Sequence, residues 1–151
     1  MVEAWRIVKE KHAATAFSGE GAARTGGRWN SRMVAVVYTS GSRSLAALET
    51  LVHLNPPVLF RYVLFPVRFS DALIETVSQA SLPVEWNAQP PAFSSKRIGD
   101  EWVRESRSAV LQVPSVIIPG EFNYVLNPFH PDFKAIKIGR AEPFAFDHRL
   151  A

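Results

Sequence analysis

Three residues that can do chemistry lie close together between positions 24 and 54. Arg28 follows two glycines in the turn TGGRWN, Tyr38 lies near the end of the apolar run MVAVVYTS, and Glu49 lies within SRSLAALETLVHL. An arginine in a glycine turn can bind a phosphate through two parallel hydrogen bonds, and a tyrosine offers a ring for stacking or a hydroxyl for orientation. Each also has a structural interpretation: an exposed loop arginine, and a tyrosine at the edge of the core with its hydroxyl in water.

Glu49 is the most informative of the three because of its place on a predicted helix. On a helical wheel of about 100° per residue, Leu48, Leu51 and Val52 cluster on one side of Leu45. Glu49 falls just past the other edge of this apolar stripe. A carboxylate at that border can point into a cleft lined by neighbouring strands, or it can be an ordinary solvated helix position.

Two further polar residues, Ser115 and Asn123, lie in VPSVIIPGEFNYVLNP. Ser115 is either a ligand-binding hydroxyl or a turn-forming one, and no Gly-x-Ser-x-Gly motif of a hydrolase surrounds it. The amide of Asn123 can orient a ligand or cap a turn. His53 and His130 are far apart in sequence, and we assign neither as a base or a metal ligand. We therefore expect no metal site.

Composition limits the classes of protein to consider. The chain has 151 residues, 47% of them hydrophobic, which suits one domain with a real core. It has no cysteine, so disulfides, cysteine zinc sites and cysteine nucleophiles are excluded. No apolar run approaches the roughly 20 residues of a membrane span, and the first residues lack the apolar core of a secretory signal. We expect a cytoplasmic protein without membrane association.

The charge distribution favours a small anionic ligand over a nucleic acid. Net charge is +3 with a pI near 9.5, but the lysines and arginines are scattered along the chain. No pattern of a zinc finger or an RNA-recognition sheet is present, nor a phosphate loop or a Gly-x-Gly-x-x-Gly fingerprint. On charge alone we favour a small phosphorylated ligand, or no ligand, over a nucleic-acid groove, and we expect no direct binding of nucleic acid.

Strands outnumber helices among the elements that must position these residues. Predicted strands cover 4–8, 33–40, 58–69 as a pair or as one strand interrupted at Pro66, two short segments of 108–128 around Pro114, and 133–146. Predicted helices cover 42–54, capped by Ser42 or Ser44 and ended by Pro56 and Pro57, and 94–106. Residues 9–25 and 81–93 are predicted loops, the first with a weak helical turn, and 71–80 are ambiguous. TGGRWN is a predicted turn, because Gly26 and Gly27 can take backbone angles closed to other residues. The predicted fold class is α+β, a single mixed α/β domain.

Taken together, these segments resemble a RES-domain protein, the toxin of a bacterial type II toxin–antitoxin pair. The matching segments are WRI with Arg6, RTGGRWN, VVYTS, LAALETLVHL and VPSVIIPGEFNYVLNPFHP, in the order of the family. The resemblance runs from residue 4 to about residue 145, so residues 1–151 are predicted to be one RES-type domain.

The resemblance implies a fold similar to ADP-ribosyltransferases, with a cleft that binds NAD as substrate and no further cofactor. It implies toxicity through NAD consumption, by attack of water or phosphate at the nicotinamide–ribose bond. The catalytic residues implied are Arg28, Tyr38, Glu49 and Ser115. The NAD-binding residues implied are Arg6, Arg28, Tyr38, Ser115 and Asn123.

Three functional interpretations remain open from the sequence. The first is an NAD glycohydrolase or phosphorylase, and the second is an ADP-ribosyltransferase that modifies a cellular protein. The third is a non-enzymatic module that binds nucleic acid or protein, which only the basic pI supports. The resemblance also implies an Xre-type helix-turn-helix antitoxin as partner, and a homo-oligomer is compatible with it.

Overall fold

The fold is built around one curled, mainly antiparallel sheet. The computed structural model describes residues 1–53 and 60–150. Its strands are β1 (Val2–Lys9), β2 (Val37–Ser40), β3 (Tyr62–Phe69), β4 (Ile74–Thr76), β5 (Val110–Pro114), β6 (Phe122–Leu126), β7 (Lys137–Ile138) and β8 (Glu142–Phe144). The helices are α1 (Glu20–Thr25), α2 (Arg43–Leu51) and α3 (Phe93–Arg104). Strands interleaved with helices confirm the mixed α+β class.

Strand order in the sheet is β4-β5-β6-β2-β1-β3-β7, with β8 also paired to β3. Only β4 and β5 run parallel among these pairs. The central strands β1, β2 and β6 carry Arg6, Tyr38 and Asn123, which brings residues distant in sequence onto adjacent strands. No helix in the described part of the chain is long and apolar enough to cross a membrane.

The two helices predicted from sequence are present with shifted ends. The first predicted helix is α2, whose N-cap is Ser42, with its hydroxyl accepting a bond from the amide of Leu45 at 3.0 Å. Its predicted end at Pro56 and Pro57 lies outside the described residues. The second is α3, in which Gly99 is required because the carbonyl oxygen of Trp29 occupies the place of a Cβ.

The apolar face predicted for α2 was placed wrongly. Val52 is exposed, and the buried positions are Leu45 and Ala46. On the helical wheel Glu49 lies between these two residues. The carboxylate therefore belongs to the inward face of the helix and not merely to its border.

Four of the predicted elements differ from the structure. The strand predicted for 33–40 begins only at Val37, after an irregular segment in which Met33 has a φ of 75°. The strand predicted for 58–69 is continuous through Pro66 in its described part, because β1 pairs with it along its whole length. The segment 133–146 contains β7 and β8 separated by a break at Gly139, which packs against Pro66.

The fourth difference is local helix in residues 9–25, which were predicted as a loop with a weak helical turn. Residues 9–25 contain a 3-10 helix, Glu10–Thr15, followed by α1. Residues 71–80 divide into a 3-10 turn, β4 and a second 3-10 turn. The proline-rich loop prediction is confirmed over 82–92, which contains no helix or strand.

Apolar side chains are buried in separate clusters around the curled sheet. One cluster joins Trp102 of α3 to Trp29, Val113 and Val125, and it includes Tyr38 at its edge. Another joins Ala46 of α2 to Ile7 of β1 and Leu64 of β3. These contacts fix α2 and the turn around residue 28 against the sheet, and a cleft remains between them.

Candidate active site

A pocket of about 960 Å³ lies between the central strands, α2, the glycine turn and the loop around residue 90. Five of the six sequence-predicted site residues line it: Arg6, Arg28, Tyr38, Glu49 and Asn123. The sixth, Ser115, is 3% exposed and lies behind Glu49, to which it is hydrogen-bonded. Residues spread over almost 120 positions of the chain thus meet at one cavity.

Glu49 is held by two of the predicted residues through a single carboxylate oxygen. Its Oε2 accepts a bond from Asn123 Nδ2 at 2.6 Å and another from Ser115 Oγ at 3.1 Å. Its Oε1 has no hydrogen-bond partner among the residues that the structure describes. One oxygen is therefore tied to the protein, and the other is available to a bound molecule.

Ser115 is oriented by the turn that follows β5. Its Oγ accepts bonds from the backbone amides of Ile117 at 3.1 Å and Ile118 at 3.2 Å. With these amides donating to the oxygen, its single proton is directed at Glu49. Ser115 is therefore a turn-forming hydroxyl, one of the two interpretations left open by the sequence, and it also contacts the carboxylate of Glu49. A direct contact of Ser115 with a ligand stays a prediction.

Arg28 is not an exposed loop arginine. Its Nη1 donates to the carbonyl oxygens of Trp86 at 2.9 Å and Ala88 at 2.8 Å, and its Nη2 donates to Gln89 Oε1 at 3.1 Å. Burial lowers the pKa of Arg28, and the negative charge of Glu49 acts in the opposite direction. Arg28 thus links the glycine turn to the proline-rich loop through hydrogen bonds, and it also lines the pocket.

Two of the five guanidinium N–H groups of Arg28 have no partner within the described ranges. They are the N–H of Nε and one N–H of Nη2, since three of the five donors bond to the loop. An arginine that lines a pocket can still bind an anion by donating hydrogen bonds from such unpaired N–H groups. Fastening the loop does not exhaust its capacity to bind a ligand.

The hydroxyl of Tyr38 lies inside the protein and not in water. It donates to Asn30 Oδ1 at 2.6 Å and accepts from the amide of Trp29 at 3.1 Å, and burial raises its pKa. Gly27 is required beside it, because a Cβ there would lie 2.7 Å from the hydroxyl. Gly27 therefore serves close approach, whereas Gly26, with a φ of 72°, supplies the special backbone conformation predicted for both. Both hydrogen bonds of the hydroxyl are therefore made within the protein, and the ring of Tyr38 is the part that can contact a ligand in the pocket.

Arg6 links three parts of the structure. Its Nε donates to the carbonyl of Ala16 at 2.6 Å, its Nη1 donates to the carbonyl of Tyr38 at 3.0 Å, and its guanidinium lies 6.0 Å from the ring of Phe17. Burial lowers the pKa of Arg6 to about 10, so it is charged near neutral pH. The observed contacts are structural, and a phosphate contact for Arg6 stays a prediction.

Sequence reasoning missed three residues at or behind the pocket wall. Ser40 lines the pocket and donates to Asn123 Oδ1 at 2.7 Å. Lys96 also lines it, and its Nζ donates to the carbonyl of Gly27 at 2.6 Å. The indole Nε1 of Trp5 is buried with no hydrogen-bond partner among the described residues. No local motif distinguishes these three positions from the other serine, lysine and tryptophan residues of the chain.

In the part of the chain that the structure describes, histidine and carboxylate residues do not gather at a potential metal site. Among residues 1–53 and 60–150, no group of three or more histidine, aspartate or glutamate side chains could hold a metal ion. The hydrogen-bond partners of the Glu49 carboxylate within the described residues are instead the amide of Asn123 and the hydroxyl of Ser115.

Comparison with known proteins identifies the family. The family model described as RES domain matches residues 3–147. The Prs ADP-ribosylating toxin of Sphingobium sp. (strain YBL2) is 42% identical over 97% of this chain and 94% of its own length. Toxin Res of Yersinia enterocolitica is 38% identical over 97% of each chain.

A solved structure has the same fold. The crystal structure of the M. tuberculosis MbcT–MbcA toxin–antitoxin complex contains a chain that matches with a TM-score of 0.76. The match covers 95% of this chain and 84% of that one, at 18% identity. Together with the family model and the curated relatives, this similarity shows that the chain belongs to the RES domain family of toxins.

Proposed function

We propose that this toxin cleaves the nicotinamide–ribose bond of NAD, with water or phosphate as the acceptor. The observation that supports this most strongly is the Glu49 carboxylate, which lines the pocket, with Oε2 held by Asn123 and Ser115 and Oε1 without a partner among the described residues. A fixed anion in a pocket is suited to a reaction in which positive charge develops on the substrate.

Bond cleavage in NAD develops such a charge. The bond between C1′ of the ribose and N1 of nicotinamide breaks with both electrons passing to N1, which turns the pyridinium into neutral nicotinamide. The ribose becomes oxocarbenium-like, as in glycoside chemistry. Water or phosphate then bonds to C1′, and water loses a proton in doing so. Glu49 would hold a ribose hydroxyl through Oε1 and stabilise the cation electrostatically, so no protein acid is needed for the leaving group.

The remaining polar residues fit the other parts of the substrate. A volume of about 960 Å³ is at the upper end of small-molecule pockets, which span roughly 300–1,000 Å³. The two spare donors of Arg28 and the spare donors of Lys96 suit the pyrophosphate. The ring of Tyr38 suits stacking against the nicotinamide or the ribose. Arg6 would add its positive charge to the pocket that it lines.

A second candidate keeps this site and changes the acceptor to a protein side chain. The name of the Sphingobium relative, an ADP-ribosylating toxin, favours this alternative. The same ribose cation would then be captured by a nucleophile on a cellular protein. Water, phosphate and a side chain compete for one intermediate, so the arrangement around Glu49 serves either reaction.

We also propose that an antitoxin protein, expected to be of the Xre helix-turn-helix type, neutralises this chain. The similar fold in the MbcT–MbcA complex supports a protein partner of this general kind. A toxin that consumes an essential dinucleotide requires such control within the cell that makes it.

Purified protein incubated with NAD alone tests the proposal. Nicotinamide release without any protein acceptor, measured by chromatography, supports glycohydrolase activity. Faster nicotinamide release on addition of phosphate, with formation of a phosphorylated ADP-ribose, supports phosphorolysis. The second candidate is supported if labelled ADP-ribose is transferred to a protein in a cell extract and no nicotinamide is released when the extract is left out. Both candidates would be refuted if the folded protein gave neither nicotinamide release nor label transfer.

A further inference from the structure

We propose that Ser40 is a positioning residue, which orients the Asn123 amide so that Asn123 holds Glu49. This inference rests on the proposed function, because it concerns the geometry of the carboxylate used in NAD cleavage. Ser40 ends β2 and Asn123 lies directly opposite it on β6 in the antiparallel register. Residues paired in this way have their side chains on the same face of the sheet.

The three side chains form one directed chain of hydrogen bonds. Ser40, 4% exposed, donates its hydroxyl proton to Asn123 Oδ1 at 2.7 Å. The amide of Asn123 then presents Nδ2 to Glu49 Oε2 at 2.6 Å. The Asn123 oxygen can only accept and its nitrogen can only donate, so a donor on one side requires the other side to face an acceptor.

Loss of the Ser40 proton would remove the constraint on this amide. The Asn123 side chain could then turn by 180°, which would place Oδ1 against the negatively charged carboxylate of Glu49. If it did not turn, Oδ1 would be left without its donor, at a cost in free energy. In the first case only Ser115 still donates to Oε2; in the second the bond from Nδ2 remains, but the amide that makes it has lost its own fixed partner. Glu49 is held less firmly in both.

This role predicts a specific kinetic effect of Ser40→Ala. The rate constant kcat for nicotinamide release should fall by about tenfold, the scale of losing one hydrogen bond. The KM for NAD should stay within about twofold, because Ser40 acts through Asn123 and not on the phosphates or the adenine. Ser95→Ala is the matched control. Ser95 is a fully buried serine of α3 whose hydroxyl donates to the carbonyl of Ala92, the residue before that helix, and its replacement should leave kcat unchanged.

A double-mutant cycle separates positioning from general destabilisation. In an Asn123→Ala background, Ser40→Ala should have almost no further effect on kcat, since the residue through which it acts is gone. Parental kcat in folded Ser40→Ala would overturn the proposal. So would a tenfold loss that recurs in full in the Asn123→Ala background.

A measurement without catalysis keeps this inference separate from the proposed function. The side-chain amide signals of Asn123 in a ¹⁵N-labelled sample are assigned by their disappearance in Asn123→Ala. They should shift in Ser40→Ala and not in Ser95→Ala. If the parent releases no nicotinamide, the proposed function fails, and these signals still decide the Ser40 contact: unchanged signals in Ser40→Ala overturn it.

Discussion

Replacing Glu49 by glutamine is the most direct test of the proposed chemistry. Glutamine has the same shape and can offer its oxygen at the position of Oε2, where it would still accept bonds from Asn123 and Ser115. Its NH₂ group would then take the place of Oε1 on the pocket side. The substitution therefore removes the negative charge and leaves the surrounding contacts in place.

The structure separates the expected effects on stability and on rate. Two hydrogen bonds to a charged group become bonds to a neutral one, and each is weakened by about 1 kcal/mol. The melting temperature should fall by roughly 4–8 °C, at about 2–4 °C per kcal/mol for a chain of this size. Loss of one preorganised electrostatic group should lower kcat by roughly 100-fold or more. NAD affinity should change little, because the charge matters most in the transition state.

The assay is nicotinamide release by the purified variant at saturating NAD, with a melting curve to verify folding. The matched control is Glu101→Gln, which removes a partly exposed helix carboxylate that pairs with Arg97 at 2.9 Å. A surface pair of this kind contributes about 0.5 kcal/mol or less, so the control should retain the parental rate. A folded Glu49→Gln protein that releases nicotinamide at the parental rate would refute the role of Glu49. In cells, growth inhibition should disappear together with the rate.

Three further substitutions test Arg28, Lys96 and the contact between α3 and Trp29. Arg28→Ala should raise the KM for NAD by at least about tenfold through loss of a charge-assisted contact, and should make the loop at 82–92 more sensitive to protease; unchanged affinity and proteolysis would contradict both roles. Lys96→Met should raise the KM for NAD several-fold, whereas Arg97→Met, at the adjacent exposed position, should not. Equal KM values for the two variants would show that Lys96 does not bind NAD. Gly99→Ala should lower the free energy of unfolding by about 3 kcal/mol in a denaturant titration, because no Cβ fits beside the carbonyl of Trp29. Gly21→Ala, with open space around it, should not lower it. Equal free energies for the two variants would show that the contact between α3 and Trp29 is relaxed in solution.

The place of Glu49 on an inward helix face followed from the sequence only in part. The periodicity of leucines predicted the helix and the N-cap role of a serine, because both depend on interactions within a few residues. The stripe was rotated, however, since Val52 is exposed and Ala46 is buried. Which side of a short helix is covered depends on the strands that it packs against, and the sequence of the helix does not contain that information.

Strand boundaries show the same limit. The apolar run at 33–40 predicted a longer strand than β2, because apolar side chains can be buried in irregular backbone as well as in a sheet. Pro66 was predicted to interrupt a strand and does not, since pairing with β1 along its whole length maintains the extended backbone. Both outcomes depend on partners that are distant in the chain.

The sequence by itself determined the α+β class, the positions of α2 and α3, the proline-rich loop and, through the resemblance, the family and the six candidate site residues. Only the tertiary structure decided what those residues contact. The bond from Asn123 to Glu49 joins positions 74 residues apart, and the bonds from Arg28 to the loop join positions about 60 apart. Contacts over such separations depend on how the strands align and how the sheet curls. These are set by burial of the whole core, and no local pattern of residue types records them.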